Sequence, residues 1–197
     1  MSGPARLGVL LSGGGTTLEN IYEVIGQGDL DAEVALVVSS RPQVGGLERA
    51  RRRGSPHLVV EHDGDDASFS GTIATALREA RVDLVVLAGF MRFWDIPEDF
   101  RGRVLNIHPA LLPLHGGPGC YGKRVHQQVL DAGDDESGCT VHFADNIYDH
   151  GPVILQRRIP VLPGDTAESL AKRVFVEECL AYPEAIRRVL AGDAAAN

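Results

Sequence analysis

With 197 residues, 44% of them hydrophobic, the chain is long enough to bury a substantial core, and a single domain over 1–197 is expected. No apolar run reaches the roughly 18 residues that mark a membrane helix, and no charged-then-apolar leader opens the sequence, so a cytoplasmic setting away from membranes is expected. A formal net charge of −8 opposes nucleic acid as a partner while leaving room for a local phosphate pocket, and three widely spaced cysteines, Cys120, Cys139 and Cys179, argue against a disulfide framework or a zinc site.

In chain order the pattern alternates. Strands are predicted at Arg6 to Leu11, Glu33 to Val38, His57 to Glu61, Leu84 to Ala88 and Val104 to Ile107. Helices are predicted between them at Leu18 to Gly26, Val44 to Arg53 and Phe69 to Ala80. Continuous apolar strands separated by helices indicate a parallel sheet covered on both faces. A helix over Tyr121 to Leu130 follows, then two strands, "GCTVHF" and "PVILQRRIPV", joined by a connection too short for a parallel crossover and therefore antiparallel. Thr166 to Leu190 closes the chain as one long helix, or as two broken near Pro183. The expected fold class is α/β: a doubly wound, mostly parallel, Rossmann-like sheet with an antiparallel C-terminal strand pair.

The chemistry gathers at strand ends. In "GRVLNIHPALLP", Asn106 and His108 lie two apart and so share a face at the carboxyl end of a strand that Pro109 and Pro113 cannot prolong. Open α/β sheets bind their ligands at such ends. In "LLSGGGTTLENI" three glycines lie between a strand and a helix, where backbone amides and the helix N-terminus can hold a phosphate, with the Thr16 and Thr17 hydroxyls as further donors. The turn is neither a full G-x-G-x-x-G nor a P-loop. The basic run "LERARRRG" reads as the solvated end of a helix. "LVVLAGFMRFW" ends a buried strand with bulky groups that either pack the core or wall a flat heterocycle. "HFADNIYDHG" holds two acids and two histidines, but at a spacing that fits no compact metal-ligand set, so no metal is expected.

Taken in order, "SGGGTTL", "VLAGFMR", "NIHPALLP", "TVHF" followed by Asp and "GPVI", and the C-terminal "VF.EE" and "YP" resemble the folate-dependent formyltransferases over nearly the whole chain. Within them the likeness is to the glycinamide ribonucleotide transformylase (phosphoribosylglycinamide formyltransferase) family. The resemblance implies transfer of a formyl group from 10-formyltetrahydrofolate to the amine of 5'-phosphoribosylglycinamide, a step in purine biosynthesis, by a monomer or homodimer. It makes Asn106, His108 and Asp149 the catalytic trio. Gly15, Thr16 and Thr17 resemble the phosphate-binding turn, although the family more often has Ser and Asn at the two threonines. Glu178 resembles the carboxylate that holds the glycinamide end. Met91, Arg92, Phe93 and Trp94, with Asp145, Asn146, Ile147 and Tyr148, resemble the folate pocket.

Formyl transfer to an amine builds up an oxyanion and moves a proton. Asn106 is expected to donate its amide hydrogens to that oxyanion. His108, with an ordinary pKa of about 6.5 raised by Asp149, is expected to act as imidazolium and protonate the leaving nitrogen. The alternatives are a formyltetrahydrofolate hydrolase using the same trio on water, another folate-dependent formyltransferase such as the methionyl-tRNA enzyme, and a non-enzymatic nucleotide-binding module. The acidic balance and a chain ending near the end of the shared core disfavour the tRNA enzyme. "NIHP" and Asp149 would have no role in a binding module.

Overall fold

The computed structural model describes residues 3–196 and shows an α/β fold. The chain forms two compact units, divided between Leu105 and Asn106, inside strand β5 (Val104–His108).

The first unit carries parallel strands in the order β3-β2-β1-β4, from β1 (Ala5–Leu11), β2 (Ala32–Ser39), β3 (His57–Val59) and β4 (Leu84–Leu87). Leu7, Val9, Leu10, Val37, Val38, Val85 and Val86 are buried on these strands. Their unbroken apolar character is what helices on both faces of a sheet require. Helices α1 (Thr16–Gly26), α2 (Gly45–Arg52) and α3 (Asp66–Glu79) supply that cover with Leu18, Ile21, Leu47, Phe69, Ile73 and Leu77, each buried side chain worth about 1.5–3 kcal/mol. α3 begins three residues before the predicted Phe69, because the Asp65 carboxylate accepts from the Ala67 and Ser68 amides and caps the helix there. β3 ends at Val59 rather than Glu61, and all three of its residues are exposed. A strand with so little burial has only its ladder to β2 to prolong it.

The second unit holds α4 (Lys123–Ala132), the antiparallel pair β6 (Glu136–Phe143) and β7 (Val153–Pro160), and α5 (Ala167–Ala191). α5 packs on α4, β6 and β7. It is one continuous helix through Pro183, where Ala181, Tyr182 and Pro183 are all buried, so packing outweighs the missing backbone donor. Its start is fixed by a capping box between Thr166 and Ser169. The segment leaving β5 is tied to the hairpin: Thr140 Oγ donates to the Ala110 carbonyl at 2.7 Å and accepts the Leu112 amide at 3.0 Å, while Gln156 Nε2 donates to the Leu112 carbonyl at 2.8 Å.

Among the described residues, no helix is long and apolar enough to cross a membrane.

Candidate functional site

β5 delivers Asn106 and His108 to one polar cluster in the second unit. The loop after β6 supplies Asp149, which sits at a positive φ of 52°. The Asp149 carboxylate is the hub. Its Oδ2 lies 3.5 Å from His108 Nδ1 and accepts the Gly117 amide at 2.9 Å, and its Oδ1 accepts from Asn106 Nδ2 at 3.3 Å and lies 3.7 Å from His142 Nε2. The His108, His142 and Asp149 side chains are all at most 10% exposed. Gly116 admits the approach of the neighbouring loop: a Cβ there would meet Leu112 Cδ2 at 2.5 Å and Asp149 Cβ at 3.3 Å.

The acceptors around each imidazole fix its protons. His108 Nε2 faces the His115 carbonyl at 2.8 Å, and a carbonyl only accepts, so Nε2 carries hydrogen and Nδ1 is the nitrogen that gains or loses a proton toward Asp149. His142 Nδ1 likewise faces the Phe143 carbonyl at 2.9 Å, which leaves Nε2 to accept from Asn106 Nδ2 at 3.1 Å. Both hydrogens of the Asn106 amide are therefore engaged, one by His142 and one by Asp149. To donate to an oxyanion, as expected of it, the amide must first release one of these partners.

Burial pushes the His108 imidazole below the ordinary histidine range, and the Asp149 carboxylate and His115 carbonyl, which raise it, offset only part of that. Asp149 thus acts in the expected direction, but the net shift is downward and the resting ring is neutral at pH 7, not an imidazolium. For Asp149 burial works upward, yet His142, His108 and the Gly117 amide together hold the carboxyl below its usual value. His126, on α4, is a third buried imidazole. Burial and the proximity of His108 lower it, and its Nδ1 has no hydrogen-bond partner among the described residues. Burial alone pushes the Glu178 carboxyl on α5 up to about 7, and its charge adds to the burial that drives the Cys139 thiol up to about 12.

The first unit carries the glycine turn. Gly15 takes φ 73° and precedes α1, which has no side-chain cap, so the first-turn amides of Thr16, Thr17 and Leu18 lack intrahelical partners. A Cβ on Gly15 would lie 2.5 Å from Gly46 Cα, and this close approach brings α2 against the turn. Arg49 of the basic run donates to the Gly14 carbonyl at 3.0 Å and pairs with Glu19 at 2.8 Å, while Arg53 reaches the other Glu19 oxygen at 2.5 Å. Arg51, Arg52 and Arg53 are exposed at the end of α2, as a solvated helix end requires, while Arg49 braces the turn. Arg53 first, then Arg49, holds the Glu19 carboxyl below its usual value.

The resemblance placed eight residues at a folate pocket. Met91, Arg92 and Phe93 in the first unit are exposed, as are Asp145, Asn146, Ile147 and Tyr148 in the second. Trp94 is not: it is 4% exposed, stacks at a tilt on Phe100, and its indole donates to the Ser70 carbonyl at 3.2 Å, so it packs the core. Asp145 braces its own loop, accepting the Ile147 amide at 2.9 Å and pairing with His150 at 2.8 Å. The two acids and two histidines of this segment thus divide into an Asp145–His150 pair and an Asp149–His142 pair. His142, His115, His126 and Gly117 were not singled out as catalytic from the sequence. The "TVHF" match and the "HFADNIYDHG" cluster pointed at His142 alone.

A family model described as formyl transferase matches residues 5–186. The chain is 43% identical to the trifunctional purine biosynthetic protein adenosine-3 of Drosophila melanogaster, over 96% of this chain and 14% of that protein. It is 39% identical to the chloroplastic phosphoribosylglycinamide formyltransferase of Arabidopsis thaliana, over 92% of this chain and 64% of that one. It thus spans less than two thirds of these curated relatives. The crystal structure of glycinamide ribonucleotide transformylase 1 from Symbiobacterium toebii superposes with a TM-score of 0.91 at 42% identity, covering 98% of this chain and 90% of that one.

Proposed function

We propose that this chain, which belongs to the formyl transferase family, transfers the formyl group of 10-formyltetrahydrofolate to the amine of 5'-phosphoribosylglycinamide in purine biosynthesis. The observation that carries the reading is the cluster of the buried His108 and His142 with the half-buried Asn106 and Asp149, each within 3.7 Å of a neighbour in it. Such a cluster can hold developing negative charge and move one proton.

Bound 10-formyltetrahydrofolate would supply an activated formyl carbon, which the amine attacks to give a tetrahedral adduct that expels the folate nitrogen. The exposed apolar surfaces of Met91 and Phe93, and separately of Ile147 and Tyr148, are suited to a flat heterocycle, with Arg92, Asp145 and Asn146 as polar neighbours. His108, neutral at rest, takes a proton from the attacking amine at Nδ1, and the Asp149 carboxylate facing that atom stabilises the imidazolium so formed. The same proton then passes to the departing nitrogen. Asn106 turns one amide hydrogen onto the formyl oxygen by giving up its longer bond, the 3.3 Å one to Asp149, and His142 keeps the other. Gly15, Thr16 and Thr17 receive the phosphate at the start of α1, and Glu178 accepts from the N–H of the glycinamide amine.

Formyl transfer to glycinamide ribonucleotide, compared with water and with initiator tRNA as acceptors, tests the proposal. Rapid transfer to the ribonucleotide is expected. Release of formate without acceptor would reassign the chain to the hydrolases, and transfer only to tRNA would reassign it to the tRNA enzymes. Cytoplasmic turnover of small molecules by a monomer or homodimer belongs to the same proposal, and sedimentation of the purified chain decides between the two states.

A further inference from the structure

We propose that His115 and Asp134 are a positioning pair that fixes which nitrogen of His108 is free to exchange a proton. The inference rests on the assignment of His108 as the proton-transfer group. His108 itself offers two equivalent ways to be neutral, and only the tautomer with hydrogen on Nε2 leaves Nδ1 open toward Asp149. The group that selects this tautomer is a backbone carbonyl, that of His115, 2.8 Å from His108 Nε2.

A carbonyl in an irregular loop selects a tautomer only if the loop is held, and three observations show how this one is held. His115 has φ 54°, a left-handed backbone that non-glycine residues rarely adopt, so the local chain does not favour this direction for its carbonyl. Its side chain supplies the restraint: His115 Nε2 lies 2.6 Å from Asp134 Oδ2. Asp134 is itself anchored at the end of α4. It follows the left-handed Gly133, and its amide reaches the Val129 carbonyl at 3.3 Å.

The far side of the loop meets the other partner. Gly117, two residues on, gives its amide to Asp149 Oδ2 at 2.9 Å, and a Cβ on Gly116 between them would press on Leu112 Cδ2 at 2.5 Å and lie 3.3 Å from Asp149 Cβ. One three-residue run therefore presents an acceptor to His108 and a donor to Asp149, and sets both ends of the imidazole–carboxylate pair at once. His115 touches neither substrate in this account. It acts through its carbonyl, and Asp134 acts through His115.

The test uses the full chain without ligands. Ring nitrogen NMR of 15N-histidine-labelled protein distinguishes the two neutral tautomers of His108. Wild type is expected to show the Nε2–H form. His115→Gly keeps the left-handed backbone accessible but loses the tether, and Asp134→Ala removes the tether from the other side. Each is expected to populate the Nδ1–H tautomer and to lower kcat about tenfold or more with KM within about twofold, because proton transfer suffers and binding does not. His115→Gln, whose amide nitrogen extends about as far as the histidine Nε2 and can still donate to Asp134, is expected to return the tautomer toward wild type and recover part of the lost turnover. An unchanged His108 tautomer in both His115→Gly and Asp134→Ala overturns the proposal, as does a His115→Gln variant no different from His115→Gly. The NMR measurement needs no substrate, so a wild-type protein that fails to transfer formyl refutes the functional assignment without deciding this one.

Discussion

Replacing Glu178 with Gln should make the protein more stable and a worse catalyst, and the stability part can be worked out from the structure. Burial raises this carboxyl from 4.5 to about 7, so over that interval the folded protein keeps a proton that the unfolded chain has lost. Stability therefore falls as pH rises from about 4.5 through 7, and above that the cost of holding the carboxylate is constant. A shift of that size, at about 1.4 kcal/mol per unit, corresponds to roughly 3 kcal/mol, a ceiling because the residue is partly exposed and water screens some of it. Gln is neutral at every pH and nearly the same shape. Urea unfolding at pH 4 should find Glu178→Gln and wild type equally stable, and at pH 8.5 the variant should be ahead by up to ~3 kcal/mol. The variant should also bind glycinamide ribonucleotide more weakly above pH 7, where wild type offers a carboxylate to the glycinamide amine. The same stability difference at both pH values would refute the reasoning, since a packing effect does not titrate.

Asp149→Asn should lower the His108 pKa further, because the charge that partly offsets burial is gone, and should reduce kcat; an NMR titration of the His108 ring that is unshifted or raised contradicts the electrostatic role. Asn106→Ala should cost kcat a factor of about 10² to 10³, the size typical for one oxyanion donor, with an unchanged circular dichroism spectrum; near-normal turnover rules the amide out of the chemistry. Gly15→Val should abolish nucleotide binding while leaving folate binding measurable, because a side chain there meets Gly46 Cα at 2.5 Å and the φ of 73° is strained for valine. Calorimetric titrations with each ligand check this, and equal losses for both would point to general misfolding.

The fold was legible in the sequence because its strands bury both faces. Runs such as "LVVL" and "ALVV" have no polar member, and the interruptions between them are helix-length. Boundaries were less legible where polar residues competed. In "EHDGDDASFS" three aspartates are each chemically able to cap α3, and only the contacts show that Asp65 does. Of the candidate site, what a strand's alternation or a glycine turn encodes could be read locally: Asn106 beside His108, and the amides after Gly15. What depends on burial or on distant chain could not. A histidine in sequence carries no sign of whether desolvation or a carboxylate will dominate its proton, so the net downward shift of His108 was missed although the influence of Asp149 was given the right direction. His142 and His115 look like any strand and loop histidine until β6 brings one to Asn106 and the loop turns the other's carbonyl to His108. Arg49 looked solvated because its partner, Gly14, is 35 residues away.

The Thr140 and Gln156 bonds that tie down the exit from β5 have a kinetic meaning as well. They close intervals of 30 and 44 residues, and the Asn106 to Asp149 bond closes one of 43. Contacts across such intervals form only after the intervening chain has been closed, at an entropic cost that local helix formation does not carry. The site is therefore assembled late: α1, α2 and α3 can form from neighbouring residues, while the imidazole and its carboxylate wait for the last hairpin. In refolding from urea, helical signal should return first and formyl transfer afterwards, with the lag set by the pairing of β6 with β7. A ribosome-bound chain released only as far as Phe143 would have its nucleotide turn and still no catalyst.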